Sequence, residues 1–299
     1  MDEVVVPLDL NSLPQDCIST VLAFTSPIEA CRSSLLSSSF RSAADSDAVW
    51  DRFLPSDYKQ ILQRSVSPIE FSSKKDLYLR LHHDPILIDG GNKIFSLDKS
   101  TGKIRYMLCA RALSISDGNN PLCWSWKSLQ YFWPSLFSEV AILRSVSSLE
   151  IDGKIKTCVL SPKTTYGAYL IVKFEERAYG LDSIPSELLV EDGNNNVCRG
   201  IAYLRRRHNS QKQQLERLYL LNRMQMLRSK VMDGEERVVH ERDDGWMEIE
   251  LGEFYINNNG SNDDKQVKMS LMEVKGNQLK GGLIVEGIEV RPKVSRGSN

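Results

Sequence analysis

The chain has 299 residues, enough for about two domains of roughly 150 residues each and for a sizeable buried core. Hydrophobic residues at 41%, charged residues at 26% and aromatics at 8% exclude the collagenous and disordered classes. With 38 Lys plus Arg against 39 Asp plus Glu, the net charge of -1 gives no whole-chain attraction to nucleic acid or membrane, and neither is expected as a partner.

The opening Met1-Asp2-Glu3-Val4-Val5-Val6-Pro7 lacks the basic start and the apolar stretch of about 7 to 15 residues that mark a secretory signal. The longest apolar run, Ala168 to Val172, falls far short of the about 20 residues a spanning helix needs. Cys17, Cys31, Cys109, Cys123, Cys158 and Cys198 show no metal-type spacing and are read as free thiols of a reducing compartment, cytoplasmic and/or nuclear. The Asn259-Gly260-Ser261 sequon is then expected to stay unmodified.

Residues 10 to 55 contain no glycine and are dense in helix punctuation. Pro14 suits an opening turn, followed by Ile18, Val21, Leu22 and Thr25 at helical spacing. Ser26-Pro27-Ile28-Glu29 is a capping box with proline at the first helical position, and Ile28, Cys31 and Leu35 form the stripe behind it. A third helix fits Asp47 to Phe53, stopped by Pro55. Asp57 to His83 reads as two more helices, with Ser73 and Asp76 as a cap pair and Asp84-Pro85 as the break.

Beyond that break, glycines and alternation take over. Strands are predicted at Lys93 to Leu97, Gly102 to Cys109 and Ala110 to Ser116, around a turn at Asp98 to Gly102. Asp152-Gly153 reads as a two-residue hairpin turn. Gly167 to Phe174, Met247 to Leu251, Val267 to Val274 and Gly282 to Arg291 continue the strand pattern, strictly alternating in Met247-Glu248-Ile249-Glu250-Leu251. One segment differs: from Gln211 to Met232 the residues Leu215, Leu218, Leu221, Met224 and Leu227 recur at helical spacing. Residues 199 to 232 hold nine Lys or Arg against one acid, and residues 233 to 250 eight acids against two bases. Either this is an internally neutralised surface excursion or a basic helix that docks on an acidic partner.

The sequence holds no phosphate-binding loop, nucleophile elbow or zinc-protease motif. His82 and His83 are adjacent and point about 100° apart on a helix, and His208 and His240 lie among charges. No catalytic residue, metal ligand or cofactor is therefore expected. Three short helices in under 50 residues bury their stripes poorly alone, which points to a partner that completes them.

That segment resembles a known module. Leu10-Asn11-Ser12-Leu13-Pro14-Gln15-Asp16-Cys17-Ile18 through Trp50-Asp51-Arg52-Phe53-Leu54-Pro55, with the Ser26-Pro27 helix start and a serine-rich middle carrying Phe40, is similar to an F-box. The resemblance implies docking to a Skp-type adaptor and through it to a cullin. Carried over position by position, the adaptor contacts are Leu13, Pro14, Ile18, Leu22, Pro27, Leu35 and Trp50, for each of which core packing is the alternative.

The remainder resembles the plant phloem protein 2 domain, which is related to a tobacco nucleocytoplasmic lectin that binds N-acetylglucosamine oligomers. The segments that carry the likeness are Phe95 to Lys99, Tyr106 to Ile115, Asp243 to Phe254 and Lys280 to Pro292. In the lectin, two tryptophans early in the domain contact the sugar. The second falls at Trp124, followed by Trp126; the first falls where this chain has Asp117. The resemblance makes Asp117, Trp124 and Trp126 candidate glycan-binding positions with one platform missing, the alternative being core or rim aromatics.

The expected fold is α+β with two domains, a small helical F-box and a mainly antiparallel, jelly-roll-like β-sandwich of lectin type. The expected layout is F-box 1–55, helical connector 56–85, lectin-like domain 86–293 with a helical insertion at about 205–235, and a tail 294–299. The implied function is a non-catalytic substrate-recognition subunit of an SCF-type ubiquitin ligase selecting a protein or glycoprotein. The alternative is a nucleocytoplasmic lectin reading N-acetylglucosamine-containing glycans.

Overall fold

The computed structural model describes residues 13–99, 101–128, 137–194, 196–205, 234–257, 265–276 and 278–293. They form two compact units. One takes the chain up to Gly90 together with Phe95–Ile104; the other takes Gly91–Ile94 and the chain from Arg105 onward.

Among the described residues the first unit is built from six short helices, five of them started by a proline or a serine cap that the sequence carries. Helix α1 (Gln15–Ala23) follows Pro14, whose carbonyl accepts the amides of Cys17 and Ile18. Helix α2 (Pro27–Ser33) is capped by Ser26, whose hydroxyl accepts the Glu29 amide at 3.2 Å. Ser37 caps α3 (Ser38–Ala44), Ser46 caps α4 (Asp47–Phe53), and Ser73 caps α6 (Lys74–His83) through the Asp76 amide. Helix α5 (Tyr58–Gln63) lies between. The sequence reading missed α3, because Ser38-Ser39-Phe40-Arg41-Ser42 has weak helix formers and no apolar stripe. It is held by its cap, by the buried Ala43 and Ala44, and by tertiary hydrogen bonds that the Ala43 and Ala44 carbonyls accept from the Ser19 hydroxyl and the Trp50 indole.

Trp50 anchors this unit. It is fully buried, donates its indole N–H to the Ala44 carbonyl at 2.7 Å, and packs on Tyr78 with ring centres 5.1 Å apart. Tyr78, Leu77 and Leu81 of α6 thus share a core with Val49 and Trp50 of α4, so the expected connector is part of the helical body. Burial raises the Tyr78 phenol pKa well above its ordinary value. Two short strands follow, β1 (Ile86–Ile88) and β2 (Lys93–Leu97), then the expected turn, in which Asp98 accepts the Thr101 amide at 2.9 Å.

The second unit is a β-sandwich. Its strands are β3 (Ile104–Cys109), β4 (Ser114–Ile115), β5 (Trp124–Lys127), β6 (Val140–Leu143), β7 (Leu149–Lys156), β8 (Thr164–Tyr179) and β9 (Ser186–Glu191). They continue as β10 (Val197–Ala202), β11 (Glu235–Arg237), β12 (His240–Glu241), β13 (Met247–Ile256), β14 (Gln266–Glu273) and β15 (Gly281–Pro292). One sheet runs β3-β15-β8-β13-β12, with β6 on the early part of β15 and β5 beside β6. The other runs β11-β10-β9-β14-β7-β4. Pairing in these two sheets is antiparallel except between β10 and β11. The facing sides interdigitate through Ile151, Leu188, Val190, Met269 and Leu271 of one sheet and Leu108, Leu170, Val172, Ile249, Ile288 and Val290 of the other, all nearly inaccessible.

Two expected elements are corrected. Asp152-Gly153 is not a turn: β7 runs through it, Asp152 facing Ser270 and Gly153 facing Met269 on β14. Glycine is there for closeness, since a Cβ at 153 would meet Ile288 Cδ1 of the opposite sheet at 2.8 Å. Ala110 to Ser116 is not one strand either; Ala110–Ala112 form a 3-10 turn and only Ser114–Ile115 pair, with β7. The expected helix Gln211 to Met232 lies outside the described residues.

Candidate functional site

On the helical unit the seven expected adaptor contacts separate into two groups. Ile18, Leu22 and Trp50 are core, each 2% exposed or less. Leu13 and Pro27 are half-buried, Pro14 is exposed, and Leu35 is 78% exposed. The division follows helical geometry: Ile18 and Leu22, four apart, face inward on α1, which turns Val21 outward. The sequence reading missed the larger part of the surface. Val21, Phe24, Ile28 and Leu36 are exposed apolar residues, and Phe24 and Leu36 stand about as far out as Leu35. The spacing of three between Val21 and Phe24, off the Ile18–Leu22 line, was the available signal. The Arg52 guanidinium lies 4.1 Å over the Phe24 ring.

Val21, Phe24, Ile28, Leu35 and Leu36 are thus five large apolar side chains left exposed within 16 residues of chain, and exposed apolar side chains that gather in one patch mark protein-binding sites. The half-buried His82 stacks against Tyr78, and burial lowers its pKa. His83 and His240 are exposed, and His208 lies outside the described residues. Among the described residues no three His, Cys, Asp or Glu come together as a metal site.

In the β unit the three candidate glycan positions lie on one stretch but differ in what they offer. Trp124, on β5, is buried at 1% exposure and donates its indole N–H to the Ser116 carbonyl at 3.1 Å. It has no free face for a sugar ring. Trp126 is half-buried, donates to the Gly118 carbonyl at 3.0 Å, and carries the Arg111 guanidinium 3.6 Å over its ring. Arg111 is tethered in turn to Glu139 at 3.0 Å. Asp117 is exposed and left-handed, with φ of 58°.

The strongest electrostatic feature of the β unit lies elsewhere. Glu289 on β15, 3% exposed, is surrounded by Arg105, Arg242 at 2.7 Å and Arg291 at 3.0 Å. Glu248 joins Arg242 at 3.1 Å and Arg291 at 2.7 Å, and Arg291 lies 3.7 Å over the Tyr169 ring. Burial would raise the Glu289 pKa, but the three guanidiniums hold it down to about 2. Asp244 adds a third carboxylate, on Arg242 at 3.1 Å, so three acids meet the three guanidiniums and the cluster ties β3, β13 and β15 together with its charges matched.

The F-box domain model matches residues 10–52 and the Phloem protein 2 model matches residues 103–292. F-box protein PP2-B15 of Arabidopsis thaliana is 48% identical over 292 residues, covering 96% of this chain and 99% of that protein. F-box protein VBF of the same plant is 47% identical over 286 residues, covering 94% of this chain and 99% of its own. F-box protein PP2-B10, also from Arabidopsis thaliana, is 38% identical over 287 residues and covers 94% and 93%.

Proposed function

Because the chain belongs to the phloem protein 2 family and carries an F-box ahead of that domain, we propose that it is the substrate-recognition subunit of an SCF-type cullin ubiquitin ligase. The helical unit docks on the Skp-type adaptor and through it on the cullin, and the β unit selects the target. The observation that carries this reading is the exposure of the apolar side chains of Val21, Phe24, Ile28, Leu35 and Leu36 on the helical unit. The receptor itself is non-catalytic, with ubiquitin chemistry on the other subunits. Its six cysteines, all unpaired, suit the reducing cytoplasm or nucleus.

The target is a protein or a glycoprotein, recognised without the lectin's pair of stacking tryptophans. A reader of N-acetylglucosamine glycans is the weaker alternative, since Trp124 is buried and Asp117 replaces the other platform. Its surviving support is the half-exposed Trp126.

The test is adaptor binding by Leu35→Ala, Leu36→Ala. Both side chains are more than 70% exposed, so the variant keeps its fold. Loss of two interface anchors is expected to weaken binding about 30-fold or more. Undiminished binding removes the basis of the reading. Trp50→Ala is unsuitable as a probe: it empties the helical core at a cost of about 3 to 5 kcal/mol.

A further inference from the structure

Arg52 stands in the last turn of α4, where the helix's negative end favours a cation. Most other cations of the helical unit are matched by carboxylates: Arg32 with Glu29, Arg64 with Asp89, Lys74 with Asp51, Lys75 with Asp45 and Arg80 with Asp76. Arg52 has no carboxylate partner among the described residues. Its guanidinium lies instead over Phe24, which is 70% exposed.

A guanidinium lying over a ring uses one face and keeps its in-plane N–H donors free, in the fork geometry that fits a carboxylate. Any partner that covers Phe24 also covers Arg52, because the two groups are in contact. Covering an unmatched guanidinium with apolar surface costs heavily, whereas covering it with a carboxylate replaces the water it loses. The surface that seats this ring therefore carries an acid at its rim.

We propose that Arg52 is a specificity-determining residue of the adaptor interface, and that the adaptor meets it with a carboxylate beside an apolar seat for Phe24. This rests on the adaptor-docking reading and adds to it a charge requirement that the apolar patch alone does not impose. Arg52 also positions Phe24, holding the ring in one place before docking and so lowering the ordering cost of the anchor.

The experiment measures affinity and association rate of the full chain for a recombinant plant Skp-type adaptor at low and high salt. Arg52→Gln, similar in length but uncharged, is expected to bind about tenfold more weakly at low salt, with the gap narrowing as salt screens the wild-type pair. Arg52→Glu is expected to lose about 100-fold, mostly in association rate, and Arg52→Lys to retain part of the affinity. Leu35→Ala, Leu36→Ala serves as the contrast, weakening binding alike at both salts. If the Arg52 variants bind as wild type while the leucine variant does not, the charge proposal is overturned and adaptor docking stands. A salt-independent loss in Arg52→Gln overturns the carboxylate and leaves only packing. Failure of the wild-type chain to bind overturns the docking reading and this proposal with it.

Discussion

Glu289 has a chemistry that its side chain alone does not foretell. A glutamate titrates ordinarily at 4.5, and this one is held to about 2. A carboxylate whose pKa is depressed in the folded state stabilises the fold above its unfolded pKa, and that contribution disappears as pH falls through the folded value. The β unit is therefore expected to lose about 3 kcal/mol between roughly pH 4.5 and pH 2 from this residue. Glu289→Gln should cost about 3 to 5 kcal/mol at neutral pH, because it leaves three guanidiniums short of an anion. Thermal melts across that pH range check both statements, and the variant's acid limb should be flatter than the wild type's. Asp117 shows a different limit on reading by residue type. Restoring the lectin's tryptophan there is expected to cost about 1 kcal/mol in stability and to add no sugar affinity, since φ of 58° disfavours a bulky side chain and Trp124 is buried. Calorimetry with chitotriose on Asp117→Trp reads the outcome directly, and clear new binding would contradict it.

Among the elements, those with explicit start signals were legible: Ser26-Pro27 opened α2, Asp47 to Phe53 was α4, and the alternation from Met247 opened β13. What failed was the meaning of glycine and the direction of a face. Asp-Gly codes for a tight turn when the chain must reverse, but the same dipeptide sits in a straight strand when another sheet passes close by. Gly153→Ala tests that account. The added methyl would meet Ile288 and, at 3.2 Å, Leu113, so a loss of about 1 to 3 kcal/mol is expected in a denaturant titration. A true turn glycine with positive φ would also resist alanine, but here φ is not positive and only packing is at stake. On α1 the apolar count was right, yet the outward face was misassigned because Ile18, Val21 and Leu22 are equally apolar and only a neighbour decides which two are buried. The β10–β11 pair sets a further constraint. Gly200 faces Glu235 and Ala202 faces Arg237 in parallel, and a parallel pair needs a connection of about a dozen residues or more. Replacing residues 206–233 by a flexible linker of about a dozen residues should leave the melting temperature within a few degrees. A linker of about four should strip β11 and with it the Arg237–Glu250 ion pair, lowering the melting temperature.

At the scale of the molecule, the order in which strands are made differs from the order in which they are needed. β15 is the last strand of the sandwich in sequence, yet it pairs with β3, β6 and β8. A ribosome that has released everything up to Lys280 has released a sandwich without its axis. The six helices, which among the described residues pack mainly on one another, complete those contacts far earlier in synthesis. On the proposed function, biosynthesis would thus yield the docking module first and the target reader only at the end. A message cut short before Gly281 would encode a subunit able to occupy the adaptor but unable to bring it a target, so a nonsense allele in that stretch should behave as a dominant competitor instead of a silent loss.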